Sequence, residues 1–377
     1  MKISFLAQDL FRQGAQAATA MLIRGFCDKG YEVDLLLSKV HLDYRSAGES
    51  GEFTVPSKTR YIFLKSRKAR KNIFELRKYL METDSEAVVA MAPPYAKALR
   101  IAAIGLKKTP RLIYVEHGLS SRNDKGEIIH RRHKFSVFAL LDWLFWRRFN
   151  RILVVSSAAI EDFRGIHPYC PKAQFHVVHN PVISDDFLGR LNRGAQHPWL
   201  TNKTCKTFVS AGAYVANKGH MTILNAFAKL KRRGVNARII IFGQGGMESQ
   251  YRDFISRNAL ENVVSIPGFS DNVPAEERAS DGYILSSRTE SFGIALVEAM
   301  AAGCPIVATD APFGPREILR DGRYGELVPV DDSDSMAAAI ERLCCTEKIS
   351  PPRESWESYT IEATVRKYEL GIGLLNG

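Results

Sequence analysis

The sequence lacks the features that define several other structural classes. Among its 377 residues no uninterrupted apolar run reaches the ~20 residues of a membrane-spanning helix. Its 27 glycines and 16 prolines are far too few for a collagen-like or low-complexity chain. The six cysteines show no C-x-x-C spacing and no clustered histidines, which argues against a disulfide framework and a zinc site. The apolar run within residues 1–7 is too short for a secretory signal, so we expect a cytoplasmic protein with reduced cysteines.

The charge is distributed unevenly along the chain. Residues 1–200 contain 32 lysines and arginines against 19 acidic residues, a net +13, whereas the remaining residues contain 20 against 22. Such asymmetry predicts that the first half faces a polyanion, which could be nucleic acid, an anionic membrane surface or an acidic substrate. The sequence contains no zinc-finger spacing, RNP-like strand or clear recognition helix. We therefore expect no nucleic acid as a partner and favour the membrane surface or an acidic acceptor.

The length, with 45% hydrophobic and 25% charged residues, predicts two globular domains. Short continuous apolar runs alternate with polar helical stretches in both halves, which is typical of parallel sheets covered on both faces. Both halves are therefore predicted to be Rossmann-like, doubly wound α/β domains, with the carboxyl ends of their sheets across a cleft. The predicted strands lie at 3–6, 33–37, 87–91, 111–115, 152–155, 175–178, 208–210, 237–242, 263–266, 282–286, 306–308 and 326–328.

The domain boundaries follow from a polar stretch that has no sustained hydrophobic period and is rich in Asn, Arg, Gly and Pro. We predict a first domain at 1–188 and an interdomain linker at 189–206. A second domain follows at 207–354. The last segment, 355–377, is predicted to contain one closing helix.

Two glutamates in the segment 289–303 form the most specific pattern in the sequence. Glu290 lies in a polar loop after a predicted strand, and Glu298 lies on the second turn of the strong helix former that follows. If the whole interval were helical, the two carboxylates would be ~12 Å apart on nearby faces. That separation is similar to the one between sugar and ribose in a nucleotide sugar. The alternative is that Glu290 is a solvated loop residue favourable to the helix dipole.

Backbone amides and one lysine are the candidates for binding a diphosphate. The amides of Phe292, Gly293 and Ile294 would be free at the N-terminus of the predicted helix, where anions bind. Lys218 ends a glycine-bounded turn and can meet a phosphate as a point charge, although a solvated turn lysine is the alternative. Gly243 begins a loop that either lets the backbone approach a ligand or merely turns tightly. The full G-x-G-x-x-G fingerprint is not met in that loop.

These residues resemble the family 4 glycosyltransferases, which are retaining enzymes of the two-domain GT-B fold. Glu290 to Glu298 is similar to their E-x7-E motif. The resemblance implies that Glu290 contacts the donor sugar hydroxyls, that Glu298 contacts the nucleotide ribose and that Gly243 lies near the base. The similarity continues through the segments 304–310, 314–319 and 324–328.

The resemblance also implies roles for two residues of the first domain. His117 follows the predicted strand 111–115, where members of the family often carry a histidine near the donor sugar and the leaving phosphate. Such a histidine could hydrogen-bond a hydroxyl or steady charge on the departing oxygen, although most lone histidines are structural. Gly14 occupies the first strand-to-helix turn, where relatives have paired glycines that approach the donor phosphate.

The chain departs from the family pattern at Ala213. Family members carry an arginine at this position, which together with the lysine equivalent to Lys218 clamps the pyrophosphate. Arg316 and Arg288 are the candidates for supplying the missing charge. We expect Arg316 to bind the donor.

Basic residues are concentrated in the segment 58–78, on a predicted helix and the loop before it that also carry Ile73, Phe74 and Leu76. An anionic membrane attracts such a pattern by ~1 kcal/mol per cation near its surface. A solvated helix and loop are the alternative. The apolar run 135–146 is too short to span a bilayer and is predicted to pack on the sheet, with insertion into a membrane interface as the alternative.

The resemblance implies a retaining transferase that moves a hexose or N-acetylhexosamine from a nucleotide diphosphate sugar to an acceptor hydroxyl. We favour a UDP-sugar over a guanosine donor, no cofactor, and an acceptor that is surface polysaccharide, lipopolysaccharide core or lipid-linked glycan. The Asp-x-Asp pattern of metal-dependent transferases occurs only at Asp332 and Asp334, in a predicted loop, so we expect no metal site. Two alternatives stay open: a nicotinamide-dependent oxidoreductase, which needs the missing glycine fingerprint, and a non-catalytic glycan-binding module, which the departure at Ala213 supports.

Overall fold

The computed structural model describes residues 1–8, 10, 14–38, 56, 58–118 and 143–375. These residues form two compact units. The first unit comprises the described residues up to 182 together with 359–375, and the second unit comprises 183–358. In the described part of the chain, every helix is too short or too polar to cross a bilayer.

A seven-stranded sheet forms the centre of the first unit. Its strands lie side by side in the order β3-β2-β1-β4-β5-β6-β7, and all of its pairs are parallel. Parallel strands covered on both faces become continuous apolar runs, and β4 is accordingly buried at every residue. The strands are β1 Lys2–Ala7, β2 Glu32–Ser38, β3 Thr59–Leu64, β4 Ala87–Ala90, β5 Arg111–Glu116, β6 Arg151–Val154 and β7 Phe175–Val177.

The strand β3 is the one element of this sheet that the sequence analysis missed. It lies at the sheet edge, where Arg60, Tyr61 and Phe63 are exposed. Edge strands often carry charged residues, and β3 lies among the basic residues of the segment 58–78. The sequence analysis therefore assigned these residues to the loop before a basic helix, although Tyr61 to Leu64 form an apolar run.

Helices cover both faces of the first sheet, and each face has its own apolar cluster. Helix 361–372 packs against helix 15–28 at Gly25, where a Cβ would lie 2.5 Å from side-chain atoms of both Ile361 and Val365. This close approach explains why glycine occupies the middle of a helix. The helices are Ala15–Asp28, Ile73–Glu82, Pro93–Ala102, Ser157–Ile166 and Ile361–Ile372. The predicted helix 135–146 lies largely outside the described residues.

The second unit has a six-stranded parallel sheet in the order β10-β9-β8-β11-β12-β13. All six strands were predicted from the sequence. The strands are β8 Lys206–Ala211, β9 Ala237–Phe242, β10 Val264–Gly268, β11 Gly282–Leu285, β12 Ile306–Thr309 and β13 Glu326–Val328. The helices are Asp185–Leu191, Pro198–Thr201, His220–Arg232, Glu248–Arg257, Val273–Ala279, Ile294–Ala301, Gly314–Ile318 and Ser333–Cys345.

The segment predicted as a linker contains ordered structure. Helix 185–191 runs into it, and helix 198–201 lies within it. The buried carboxylate of Glu276 accepts hydrogen bonds from the amides of Gln196 and His197 at 2.9 and 3.3 Å. Short helices held by side chains show no sustained hydrophobic period, which explains their absence from the sequence analysis. The domain bounds themselves stay a prediction.

Both sheets are doubly wound, so their strand order reverses at one point. The reversal lies between β1 and β4 in the first sheet and between β8 and β11 in the second. Open α/β sheets bind ligands beyond the carboxyl ends of the strands at such a reversal. The fold class predicted from the sequence, two Rossmann-like α/β sheets, is confirmed, and the loops after these four strands are where candidate site residues belong.

Candidate functional site

In the second unit, the loops after β8 and β11 are joined by several hydrogen bonds. The amide of Arg288 donates to the carbonyl of Asn217 at 2.8 Å. The side chains of Asn217 and Thr289 bond to each other at 2.7 Å, and the hydroxyl of Ser286 donates to the carbonyl of Lys218 at 2.8 Å. Because backbone and side-chain groups of both loops are used, the two loops are fixed against each other at the point where the strand order reverses.

The structure brings Lys218 and Glu290 into direct contact. The Lys218 Nζ lies 2.6 Å from Oε1 of Glu290, and the hydroxyl of Ser287 donates to the same oxygen at 2.7 Å. Only 11% of the Glu290 side chain is exposed, against 30% for Lys218. This pair is therefore screened less by solvent than a surface ion pair. The sequence analysis predicted both residues but not their contact.

A backbone bridge fixes Glu290 from its other side. Glu290 pairs with Phe313 in an isolated parallel bridge, and Phe313 has a φ of 88°, a conformation that is strained for a residue with a side chain. At the next residue, Gly314, a Cβ would lie 1.7 Å from the carbonyl oxygen of Phe292. Only glycine permits this approach of two backbone segments.

The helix 294–301 begins directly after this bridge. Gly293 has a φ of 106° and is the N-cap of the helix, with no side-chain cap. Among the described residues, the amides of Gly293 and Ile294 have no hydrogen-bond partner, whereas the side chain of Phe292 is buried in the core. The start of the helix therefore has two backbone donors available, three and four residues after Glu290, and anion binding by them stays a prediction.

Glu298 is half-buried on the same helix. Burial raises the pKa of its carboxyl group to about 7, and the positive charge of Arg190 opposes the shift. Glu277, on helix 273–279, is buried with only 1% of its surface exposed, and neither of its carboxyl oxygens has a partner among the described residues. Burial, together with the charge of Glu298, raises the pKa of Glu277 well above its ordinary value. The sequence analysis missed Glu277.

The glycine loop after β9 approaches another backbone. A Cβ on Gly243 would lie 1.9 Å from the carbonyl oxygen of Gly212, and a Cβ on Gly245 would lie 2.6 Å from that of Tyr214. The amide of Tyr214 donates to the carbonyl of Gln244 at 2.9 Å. Packing against the loop after β8 is thus sufficient to explain both glycines, and contact of Gly243 with a nucleotide stays a prediction.

The two arginines proposed to compensate for Ala213 are held by carboxylates. Arg316 forms a short contact with Asp310 and an ion pair with Asp321 at 3.5 Å. Arg288 pairs with Asp331 at 2.9 Å. In the described part of the chain both arginines are thus engaged by carboxylates, and neither contacts Lys218 or Glu290. Donor binding by Arg316 stays a prediction.

In the first unit, His117 follows β5 and lines a cavity of about 550 Å³. Burial lowers the pKa of the imidazole to about 4, and nearby Asn180 opposes the shift. Neither ring nitrogen has a hydrogen-bond partner among the described residues. His117 is therefore neutral at pH 7 and offers one donor and one acceptor. The cavity is also lined by Gln8, Gln16, Thr19, Lys97, Tyr114, Glu116, Trp146 and Phe163.

The sequence analysis missed Glu116, which lines this cavity, is 3% exposed and accepts hydrogen bonds from the Tyr114 hydroxyl at 2.7 Å and from the Gly118 amide at 2.9 Å. The first bond orients the Glu116 carboxylate, and the second ties the backbone after His117 to the side chain before it. Gly14 has a φ of 51° and is the N-cap of helix 15–28, as expected for a turn between β1 and that helix.

The Asp-x-Asp pattern is used structurally. The carboxylate of Asp332 caps helix 333–345 by accepting from the amides of Asp334 and Ser335, each at 3.0 Å. Asp334 pairs with Lys229 at 2.7 Å. No group of three or more metal-ligating side chains is found in the ranges that the structure describes.

Two family models match the chain, each over just under half of its length. Residues 12–186 match the model described as Glycosyltransferase Family 4. Residues 195–362 match the model described as Glycosyl transferases group 1.

Curated relatives match mostly over part of their length. An exopolysaccharide phosphotransferase of Streptomyces coelicolor is 39% identical over 147 residues, which cover 39% of this chain and only 16% of that protein. The chain is also 23% identical, over 77% of its own length and 72% of the relative, to N-acetylgalactosamine-N,N'-diacetylbacillosaminyl-diphospho-undecaprenol 4-alpha-N-acetylgalactosaminyltransferase of Campylobacter jejuni.

The fold matches solved structures over the whole chain. The structure of HepE from Anabaena, in complex with UDP and glucose, covers 100% of both chains with a TM-score of 0.71 at 18% sequence identity. Such identity shows the fold and nothing finer. Each half of the chain is thus similar to one glycosyltransferase family model, family 4 for residues 12–186 and group 1 for residues 195–362, and the two-sheet fold is the GT-B fold of these solved glycosyltransferase structures.

Proposed function

We propose that the chain is a retaining glycosyltransferase that moves a hexose or N-acetylhexosamine from a UDP-sugar to a hydroxyl of a cell-surface glycan or lipid-linked acceptor. The observation that carries the proposal is the contact of Lys218 with Glu290, 2.6 Å apart, where the strand order of the second sheet reverses. UDP and glucose in the Anabaena neighbour and a diphospho-undecaprenol-linked glycan in the name of the Campylobacter relative support the donor and acceptor classes.

The central demand of the reaction is to stabilise the leaving diphosphate while the sugar becomes oxocarbenium-like. Without a donor, Glu290 neutralises the Lys218 ammonium. A bound diphosphate would compete for this ammonium, and the amides of Gly293 and Ile294 would add two neutral donors. Glu290 would then be free to accept hydrogen bonds from sugar hydroxyls. The ion pair thus keeps both charged groups in place until the donor replaces their contact.

The remaining predicted residues complete the proposed mechanism. Glu298 would accept hydrogen bonds from the ribose, and neutral His117 would hydrogen-bond on the acceptor side without exchanging a proton at pH 7. No carboxylate is assigned as a nucleophile, so we propose attack from the face of the leaving group, with the leaving phosphate accepting the acceptor's proton. This mechanism retains the anomeric configuration and requires no metal.

A donor panel scored by release of nucleoside diphosphate tests the proposal. We expect UDP release from at least one UDP-sugar, unchanged by EDTA, and a product whose anomeric configuration, measured by NMR, matches that of the donor. Lys218→Ala and Glu290→Ala should each lower turnover by on the order of 10²-fold or more, because the first removes the charge that stabilises the leaving diphosphate and the second removes the group that orients the sugar.

The matched control is Lys229→Ala, which breaks an ion pair of similar length with Asp334 outside the site. Turnover of this variant should equal that of the wild type. Normal turnover by both site variants would contradict the site assignment. Binding of UDP without any release from donors would instead favour a non-catalytic glycan-binding module.

A further inference from the structure

The outer side of helix 73–82 and the turn before it carry apolar and basic side chains in alternation. Phe74 is 85% exposed and Met81 is 60% exposed, and Lys71 and Lys78 are exposed beside them. Positions 71, 74, 78 and 81 are three or four residues apart, so they lie on one side of the helix. A phenylalanine and a methionine on one exposed stripe form an apolar patch, and exposed apolar patches are typical of interaction surfaces.

The end of the neighbouring helix 93–102 extends this patch. Arg77, which lies between Phe74 and Met81 on helix 73–82, donates to the carbonyls of Ala102 and Ile104 at 3.0 and 2.6 Å. These bonds place the end of helix 93–102 next to the exposed stripe. Ile101 and Ile104 are 44% and 56% exposed there. We define the basic-apolar surface by its six exposed residues Lys71, Phe74, Lys78, Met81, Ile101 and Ile104.

The charge around the basic-apolar surface is predominantly positive. Within the described residues its acidic neighbours on helix 73–82 are Glu75 and Glu82, which pair with Lys65 at 3.5 Å and with Lys78 at 3.9 Å. Further exposed cations flank the surface at Lys68, Arg70, Lys107 and Lys108. The positive charge therefore exceeds what the local carboxylates neutralise.

We propose that the basic-apolar surface binds an anionic lipid bilayer. The inference rests on the proposed function, because a transferase with a lipid-linked acceptor works at a membrane. Exposed apolar tips can be buried at the boundary between head groups and acyl chains, while the surrounding ammonium and guanidinium groups meet lipid phosphates. A second copy of this surface would repel the first by its charge. A soluble polyanion would leave the four apolar side chains in water.

Co-sedimentation with lipid vesicles tests this proposal on the full-length protein. We expect binding to phosphatidylcholine vesicles that contain roughly one third phosphatidylglycerol, little binding to phosphatidylcholine alone, and release when NaCl rises from ~0.05 to ~0.5 M. The double variant Lys71→Gln, Lys78→Gln should lower the partition coefficient about 25-fold, because each cation contributes about fivefold near an anionic surface. Phe74→Ser should lower it about tenfold.

Matched controls remove the same groups elsewhere. The double variant Arg257→Gln, Arg366→Gln loses two exposed cations, and Phe269→Ser loses a phenylalanine that is 72% exposed. Both controls should bind vesicles like the wild type. The proposal is overturned if wild-type protein stays in the supernatant at low salt, or if site and control variants lose binding equally. Sedimentation velocity without lipid should show a monomer-to-dimer shift only if a second copy is the partner, which also overturns it.

Donor turnover without vesicles separates this proposal from the proposed function. The substituted residues of the basic-apolar surface are exposed and lie outside the candidate site, so UDP release should be the same for the variants and the wild type. Vesicle binding with no release from any donor would leave the surface supported and the transferase proposal contradicted. Release of UDP from a donor without any vesicle binding would contradict only the proposal that the basic-apolar surface binds a bilayer.

Discussion

The two sheets reverse their strand order in the same way, between β1 and β4 and between β8 and β11. The loops near the two reversals differ in their charged groups and in the hydrogen bonds that hold them. In the second unit an ion pair lies there, and the two loops that carry it exchange hydrogen bonds between backbone and side chains. In the first unit, the residues after β1 and β4 line a cavity of about 550 Å³ together with Lys97, Glu116 and the neutral imidazole of His117. The described residues thus place an ion pair between hydrogen-bonded loops in one unit and an imidazole at a cavity in the other.

The difference agrees with the demands of group transfer. Charge that develops on a diphosphate needs groups that are already oriented, because reorganising them during the reaction would cost free energy. A site that binds a polar, neutral hydroxyl needs hydrogen-bond capacity and space more than charge. Under the proposed function, the braced loops of the second unit would hold the donor, and the cavity beside His117 would receive the acceptor. The comparison therefore predicts that substitutions of the same kind will have unequal effects in the two units.

The largest contrast is expected between two glycine substitutions. Gly314→Ala should destabilise the protein by roughly 4 kcal/mol, because its Cβ would overlap the Phe292 carbonyl oxygen at 1.7 Å and neither backbone segment can move freely. Gly14→Ala should cost about 1–2 kcal/mol, since it meets no atom within 4 Å and adds only the strain of a φ of 51°. Calorimetric unfolding of both variants measures the difference. Equal destabilisation would show that the approach of Gly314 to the Phe292 carbonyl relaxes without cost.

A second contrast lies within one helix of the second unit. Glu276 and Glu277 are both buried, but only the carboxylate of Glu276 accepts hydrogen bonds in the described structure. The pKa of Glu277 is raised in the folded protein. At a pH above the ordinary pKa of glutamate, the folded protein therefore still holds a proton that the unfolded chain has released. Stability is therefore lost as pH rises above ~4.5. Glu277→Met removes that cost, so it should raise the melting temperature more at pH 8 than at pH 5.

Glu276→Met is the matched control for this prediction. It removes the acceptor of the Gln196 and His197 amides and should lower stability by about 1–3 kcal/mol at both pH values. A gain in melting temperature for Glu277→Met that is the same at pH 5 and pH 8 would show that Glu277 is not held in its protonated form.

The fold was predictable because strands that are buried on both faces of a sheet are rich in consecutive apolar residues. Strands such as β4, β5 and β9 carry continuous apolar runs. The strand β3 also has one, from Tyr61 to Leu64, but it lies within the basic segment 58–78, and the sequence analysis assigned it to the loop before a helix. The helices in the predicted linker were missed for a different reason. Helix 198–201 is only four residues long and begins at a cap formed by His197, so no hydrophobic period could develop.

The sequence predicted Glu290 and Lys218 as candidate site residues but not their contact, and their roles stay a prediction. Glu290 and Lys218 are 72 residues apart in the chain, and only the parallel pairing of β8 with β11 brings their loops together. No sequence signal distinguishes Glu277 from Glu276, because two adjacent residues of one type differ only in which side of the helix they occupy. Spacing along the sequence can therefore point to candidate residues such as Glu290. It cannot show which of two adjacent glutamates is buried without a hydrogen-bond partner, because that depends on the elements packed against the helix.

The smallest effect is expected at His117, in the open site of the first unit. Because burial lowers the pKa of this imidazole to about 4, it stays neutral between pH 5 and pH 8, and its proton should not contribute to the pH dependence of turnover in that range. His117→Gln keeps a hydrogen-bonding side chain and should reduce kcat/KM for the acceptor by up to about tenfold, as for the loss of one hydrogen bond. The KM for the donor should remain unchanged. A loss near 10³-fold, or an inflection near pH 6.5 that disappears in the variant, would instead assign His117 a proton-transfer role and remove the contrast between the ion pair of the second unit and the neutral imidazole of the first.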